Sequence, residues 1–304
     1  MNTKTYAIAD YGTNSARLMI ATIKNNQIID VKKSMETIRL GEGMTNGVIA
    51  PAAMVRAKDT TLRFLKEASA SGAEIFFGFA TSAVRDAKNQ LEFVDYIEKE
   101  CDTRLDVISG DNEARIGYIG ASRGSQDALG IIDIGGGSTE IIIGKNKEII
   151  FAKSHQTGTV RLLQQFGEIA PNDLSKYIEC KEEIQQIFSA LPKNFLPKKW
   201  LSIGGTATSL AAVDQKLTVY DPQKVDGYVL SKSQVESLFS EFSHQTVAQR
   251  KKTTGLQENR ADVIVYGALI LDTILELLDI AQTTVSEADN LEGYLLEKLS
   301  SGAL

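Results

Sequence analysis

With two cysteines, two histidines, one tryptophan and five prolines in 304 residues, the chain has little material for several kinds of chemistry. Cys101 and Cys180 lie far apart and outside any CxxC spacing. Neither a disulfide framework nor a zinc site is indicated, and reduced, packed thiols are expected. His155 and His244 cannot build a multi-histidine metal site or a conventional Ser/His/Asp triad, so any metal is expected to be hard and bound by oxygen. No segment is a charge-free apolar run of about 18 residues. The opening MNTKTYAIADYG has neither an apolar stretch nor a small-residue cleavage site, so a cytoplasmic address without a membrane partner is expected. Basic residues are outnumbered, 33 against 39 acidic, for a net charge of -6. That argues against a nucleic-acid binder, and a polyanionic substrate would need a locally basic cleft.

What the chain does have is an internal repeat. IADYGTNSARLMIATIKNNQIIDV, from Ile8, aligns with IIDIGGGSTEIIIGKNKEIIFA, from Ile131: Asp10 matches Asp133, Gly12 matches Gly135, Ser15 matches Ser138 and Arg17 falls where Glu140 falls, all at one offset. In each copy an apolar run follows the glycine-bearing turn, then a polar turn, then another β-prone run, which predicts a three-stranded meander twice over. The spacing excludes a P-loop, which needs Gly-Lys-Ser/Thr opening a helix. It also excludes a dinucleotide fingerprint, because Glu140 stands at the last glycine and IIIG is strand-like. A haloacid-dehalogenase nucleophile would need a second aspartate two positions after Asp10 or Asp133, and none is there.

Strands and helices alternate around these meanders, giving an α/β class. A helix is expected over Ala52 to Gly72 with Met54, Leu62 and Leu65 on its apolar side. EIFFGFATSAVRDA reads as a buried strand and a loop carrying Ser82 and Arg85, and ISGDNEAR places Glu113 at a helix start. The second half adds a helix around Leu174 to Leu191, the glycine turn of SIGGTATSLAAV and the apolar RADVIVYGALILDTILELLDI. The domain boundary is expected near Gly124 to Leu129, where SRGSQDALG is polar.

An Asp-x-Gly hairpin exposes backbone N–H groups and a carboxylate at one sheet edge, and glycine lets a phosphate approach the backbone. Two such hairpins could grip a phosphoanhydride chain. Candidate contacts are Gly12, Thr13, Asn14 and Ser15 in the first copy and Gly135, Gly136, Gly137, Ser138 and Thr139 in the second, with the hydroxyls as added donors. Asp133 and Glu140 are candidate Mg2+ ligands, since that ion takes carboxylates, waters and phosphate oxygens; the plainer alternative is that Asp133 caps its turn. Glu113 is open to two readings, helix capping or general-base work. Gly205 and Thr206 open a helix N-terminus suited to a terminal phosphate or a nucleotide. The basic groups Lys193, Lys198, Lys199 and Arg250-Lys251-Lys252 read more simply as solvated faces than as a polyanion track.

In combination, DYGTNSARL, ATSAVRDA with VISGDNEAR, IDIGGGSTEIIIG, and IGGTATSLAA with RADVIVYGALIL resemble the exopolyphosphatase and guanosine pentaphosphate phosphohydrolase (Ppx/GppA) family. The resemblance implies two RNase-H-like domains of the actin-like ATPase superfamily flanking a cleft. The first would cover residues 1–126, completed by a C-terminal helix over 290–304, and the second 127–289. It implies Mg2+-dependent hydrolysis of inorganic polyphosphate or guanosine pentaphosphate by a homodimer. It assigns Glu113 to the attacking water, Asp133 and Glu140 to metal or its waters, Arg17 and Arg85 to the phosphate path and Arg260 to anionic substrate. Departures are Glu258 in place of a proline, and VSEADNLEG, in which Asp289, Asn290 and Leu291 replace Gly, Leu and Arg. The extra C-terminal helical domains of longer members are not expected here. A sugar or acetate kinase is disfavoured by ISGDNEAR, and a non-catalytic alarmone sensor by the retention of every acidic position.

Overall fold

A computed structural model describes residues 3–25, 27–44, 46–171, 173–192 and 196–301. The chain forms two compact units, Met1–Ile116 with Asn290–Leu304, and Gly117–Asp289. In the first, β1 (Lys4–Tyr11), β2 (Ser15–Lys24) and β3 (Gln27–Thr37) make the expected meander. The β4 strand (Ile75–Ala80) runs parallel to β1, and β5 (Leu105–Val107) parallel to β4, in the order β3-β2-β1-β4-β5. Two-residue alternation sorts β1 between two apolar layers. Ala7, Ala9 and Tyr11 pack with Ala53, Ala57 and Phe64 of α1 (Pro51–Ala70) and with Phe93 and Ile97, while Tyr6 and Ile8 pack with Ile116, Leu291, Tyr294 and Leu295. Both faces of the sheet are therefore covered, as its parallel strands require.

Two further helices lie in this unit, α2 (Ser82–Arg85) and α3 (Gln90–Cys101), and α4 (Gly110–Ser122) starts in it and runs on into the second. The helix Asn290–Ser300 joins the same unit. Its Tyr294 stacks on Phe79 at 4.6 Å and donates its phenol to Asp106 at 2.5 Å. Two local expectations need correction. Leu62 of α1 is exposed, because the buried stripe follows Ala53, Met54, Ala57, Thr60, Thr61, Phe64 and Ala68 at helical spacing and Leu62 falls outside it. Ser82 and Arg85 sit on the single helical turn α2 rather than in a loop.

The second unit repeats the plan with β6 (Leu129–Ile134), β7 (Thr139–Lys145) and β8 (Glu148–His155) as the meander. Then come β9 (Lys199–Ile203), β10 (Val229–Ser231) and β11 (Gln282–Val285), in the order β10-β11-β9-β6-β7-β8. Around the sheet lie α5 (Thr159–Phe166), α6 (Leu174–Phe188), α7 (Gly204–Asp214), α8 (Pro222–Val225), α9 (Lys232–Ser243), α10 (Val247–Arg250) and α11 (Ile264–Leu277). The α11 helix is apolar nearly all round and buried from Ile264 to Leu275. Ile132 and Ile134 of β6 and Ile141 and Ile143 of β7 face that core, which leaves Asp133 and Glu140 on the opposite face. Both thiols are free and buried. Among the described residues no helix is long and apolar enough to cross a membrane.

Candidate active site

The duplicated motif is duplicated geometry. In the first hairpin Asp10 is the cross-strand partner of Arg17, and in the second Asp133 is the partner of Glu140. Gly12 N–H donates to Ser15 O at 3.0 Å, and Gly135 N–H donates to Ser138 O at the same 3.0 Å. A Cβ on either glycine would lie 3.1 Å from that same oxygen, so both turns keep the residue without one.

The carbonyls of both turns are bound from behind. Thr13 O accepts from Gly41 N–H, and Asn14 O from Ile38 and Arg39 N–H. In the second turn Gly135 O accepts from Thr159 N–H, and Gly136 O from Val160 and Arg161 N–H, while Gly137 O accepts from Arg161 Nε–H at 2.9 Å. Gly158 makes this docking possible: a Cβ there would fall 2.6 Å from the Gly136 carbonyl. Among the described residues, the N–H groups of Gly136 and Gly137 donate to no protein acceptor.

Charge separates the two copies. Asp10 is held by Arg17, with Nε at 3.1 Å and Nη2 at 2.5 Å from its Oδ2. Asp133 and Glu140 are two carboxylates side by side, both buried, and Ser154 donates to Glu140 at 2.6 Å. The start of α7 closes on Asp133: Gly204, at φ +78°, has no Cβ to place 2.6 Å from the carboxylate oxygen. The positive end of that helix favours a negative group there. Among the described residues no cluster of three or more His, Cys, Asp or Glu forms a protein-only metal cage. A pair of carboxylates is nevertheless the donor set Mg2+ uses when substrate oxygens and waters complete its shell.

Several expected residues have particular partners. Glu113 stands in the first turn of α4, 6% exposed, and accepts from Arg85 Nη1 at 2.6 Å; Arg85 also reaches Ile108 O. The helix start is capped by Ser109 instead, whose Oγ takes Asn112 N–H. Glu113 is thereby a held carboxylate, not a capping one. The hydroxyls of Thr139 and Thr206 donate to the carbonyls of Thr157 and Ile134, and Thr13 pairs with Ser82, because buried hydroxyls need partners. Asn14 and Ser15 share a long 3.5 Å contact, and Ser138 is buried. Arg260 lies over Gly205, where a Cβ would meet its Nη2 at 2.1 Å.

Arg161, Tyr220 and Glu287 enter this picture without a sequence signal beyond their neighbourhoods. The Tyr220 phenol donates to Glu287; burial, then Glu287, raises its pKa, against a lowering influence from Arg260. The basic surface did not assemble as one group. Arg250 is 1% exposed while Lys251 and Lys252 are exposed, and Lys193 lies outside the described residues.

Two sheets of like topology, each with a glycine hairpin whose carbonyls are turned inward, define a two-domain α/β protein of the actin-like ATPase fold. The model of the Ppx/GppA phosphatase family matches residues 19–302, and the chain belongs to that family. It is 30% identical to exopolyphosphatase 2 of Mycobacterium tuberculosis, over 95% of this chain and 97% of that one. It is 32% identical to the bifunctional 3-dehydroquinate synthase/phosphatase of Fusobacterium nucleatum, over 96% of this chain, and spans 46% of that longer protein. The crystal structure of an exopolyphosphatase from Cytophaga hutchinsonii superposes with a TM-score of 0.88 at 28% identity, covering 98% of each chain.

Proposed function

We propose that this protein is an exopolyphosphatase that hydrolyses terminal phosphoanhydride bonds of inorganic polyphosphate with Mg2+. The observation that carries the reading is the pair of superimposable hairpins, both with carbonyls engaged from behind, one with two adjacent carboxylates. Phosphoryl transfer requires positioning and charge neutralisation more than covalent chemistry. In this proposal the N–H groups of Gly136, Gly137 and Ser138 bind the terminal phosphoryl oxygens, and Arg17 and Arg260 contribute positive charge along the chain. Glu113, oriented by Arg85, accepts a proton from the water that attacks phosphorus while the bridging P–O bond breaks. Asp133 and Glu140 would hold Mg2+, which when bound neutralises charge on the phosphate oxygens. Homodimerisation belongs to the same proposal.

Guanosine pentaphosphate presents the same bond, and the two substrates are separated by assay. Phosphate release is measured from long polyphosphate, short polyphosphate and guanosine pentaphosphate, with and without Mg2+. Release from polyphosphate, dependent on Mg2+, is the expected result. Release from the nucleotide alone would reassign the substrate, and inertness on all three would leave a sensor.

A further inference from the structure

We propose that Arg161 is a positioning residue that sets the anion-binding conformation of the second hairpin; the inference builds on the phosphate-binding part of the function proposed above. In a planar trans peptide the C=O and the following N–H point in opposite directions, so anchoring one aims the other. Each anchor in the second turn has a defined consequence. The Thr159 N–H on Gly135 O aims the N–H of Gly136, and the Val160 and Arg161 N–H groups on Gly136 O aim that of Gly137. Arg161 Nε–H on Gly137 O, at 2.9 Å, aims the N–H of Ser138.

Two of these three anchors are main chain and cannot be removed by substitution. The third belongs to a side chain. The first hairpin makes the contrast useful, because Asn14 O, the counterpart of Gly137 O, is anchored by the backbone N–H groups of Ile38 and Arg39. The second turn carries glycine at three successive positions, where the backbone is least restrained, and there a guanidinium takes over the anchoring. An Nε–H is a directional donor on a planar fork, which the flexible ammonium of lysine does not reproduce.

The test compares wild type with Arg161→Lys, Arg161→Met and Arg161→Ala. Inorganic pyrophosphate binding is read by titration calorimetry, polyphosphate turnover by phosphate release, and folding by thermal melting. Loss of one preorganised donor from a site that binds developing charge costs roughly a hundredfold in turnover. Arg161→Met and Arg161→Lys should both lose about that much in kcat/KM and at least tenfold in pyrophosphate affinity, with melting temperatures close to wild type. Millimolar guanidinium should restore part of the activity of Arg161→Ala. Full activity in Arg161→Lys would show that charge, not the directed bond, matters and would overturn the proposal. Wild-type affinity and turnover in Arg161→Met would overturn it as well, and so would wild-type protein that binds no pyrophosphate. If wild type binds pyrophosphate through Arg161 but leaves polyphosphate intact, the proposed reaction fails and the positioning role stands.

Discussion

Replacing Glu113 by glutamine separates its ion pair with Arg85 from the proposed role in directing water. The carboxylate and guanidinium are 2.6 Å apart, with side chains 8% and 20% exposed. Glutamine keeps the shape and an acceptor oxygen for Arg85, so what disappears is the charge. The glutamine oxygen still accepts from a charged guanidinium, and hydrogen bonds to charged groups contribute about 1.5–3 kcal/mol, so a fall from the upper to the lower part of that range costs about 1 kcal/mol. In a chain of this size that lowers the melting temperature by about 1.5 °C. Loss of a positioned proton acceptor is larger, roughly 10²–10⁴-fold in rate, or about 3–5 kcal/mol of transition-state stabilisation. Steady-state phosphate release from polyphosphate should therefore show kcat reduced by at least a hundredfold with KM within about threefold of wild type. Arg85→Met added to this variant should cost little further turnover, since both residues serve one group. A Glu113→Gln enzyme with wild-type kcat, or one altered only in KM, would refute the assignment.

Gly205→Ala should raise KM for polyphosphate about tenfold, because the new methyl displaces the guanidinium of Arg260 at a helix position that otherwise suits alanine; unchanged KM would remove Arg260 from the substrate path. Arg17→Met strips Asp10, 5% exposed, of its guanidinium and should destabilise the protein by about 3 kcal/mol in denaturant unfolding. A loss under 1 kcal/mol would mean the pair is not a structural one. His155 is buried against Phe188, and burial first, then Lys153, lowers its pKa from 6.5 to about 4. The neutral ring's contribution to stability is complete above pH 6.5 and is lost as pH falls towards 4, amounting to about 3 kcal/mol at most. Melting curves across that window should fall more steeply for wild type than for His155→Phe, and parallel curves would contradict the shift.

The parts of the site written in short-range pattern were legible. Asp10, Gly12 and Ser15 against Asp133, Gly135 and Ser138 predicted two equal hairpins, and register pairs and turn bonds are equal in both. The α/β alternation was legible for the same reason, since periods of two and of three to four residues are local. What depends on distant chain was not. Arg85 and Glu113 read as separate agents, one for phosphate and one for water, and only folding places them 2.6 Å apart. The carbonyl partners of the Thr139 and Thr206 hydroxyls, Thr157 and Ile134, also come from distant chain and could not be read from residue type. Leu62 matched a helical spacing, yet the stripe that α1 buries falls at other positions and leaves it outside.

The difference between the two hairpins bears on function more than on folding. Both turns reach one backbone geometry whether the cross-strand pair is Asp10 with Arg17 or Asp133 with Glu140. Opposite charges facing each other across strands stabilise a sheet, and like charges facing each other destabilise it. The first hairpin therefore has the arrangement that folding alone would favour, and the second keeps the less favourable one. Burial increases the penalty, since Asp133 is 8% and Glu140 1% exposed and little water screens them. Ser154 and the N-terminus of α7 offset part of it. A duplicated fold that could have placed an arginine in the second copy, and did so in the first, has left one hairpin neutral and one doubly acidic. That carboxylate pair suits the divalent ion of the proposed function, which takes carboxylates together with water and phosphate oxygens.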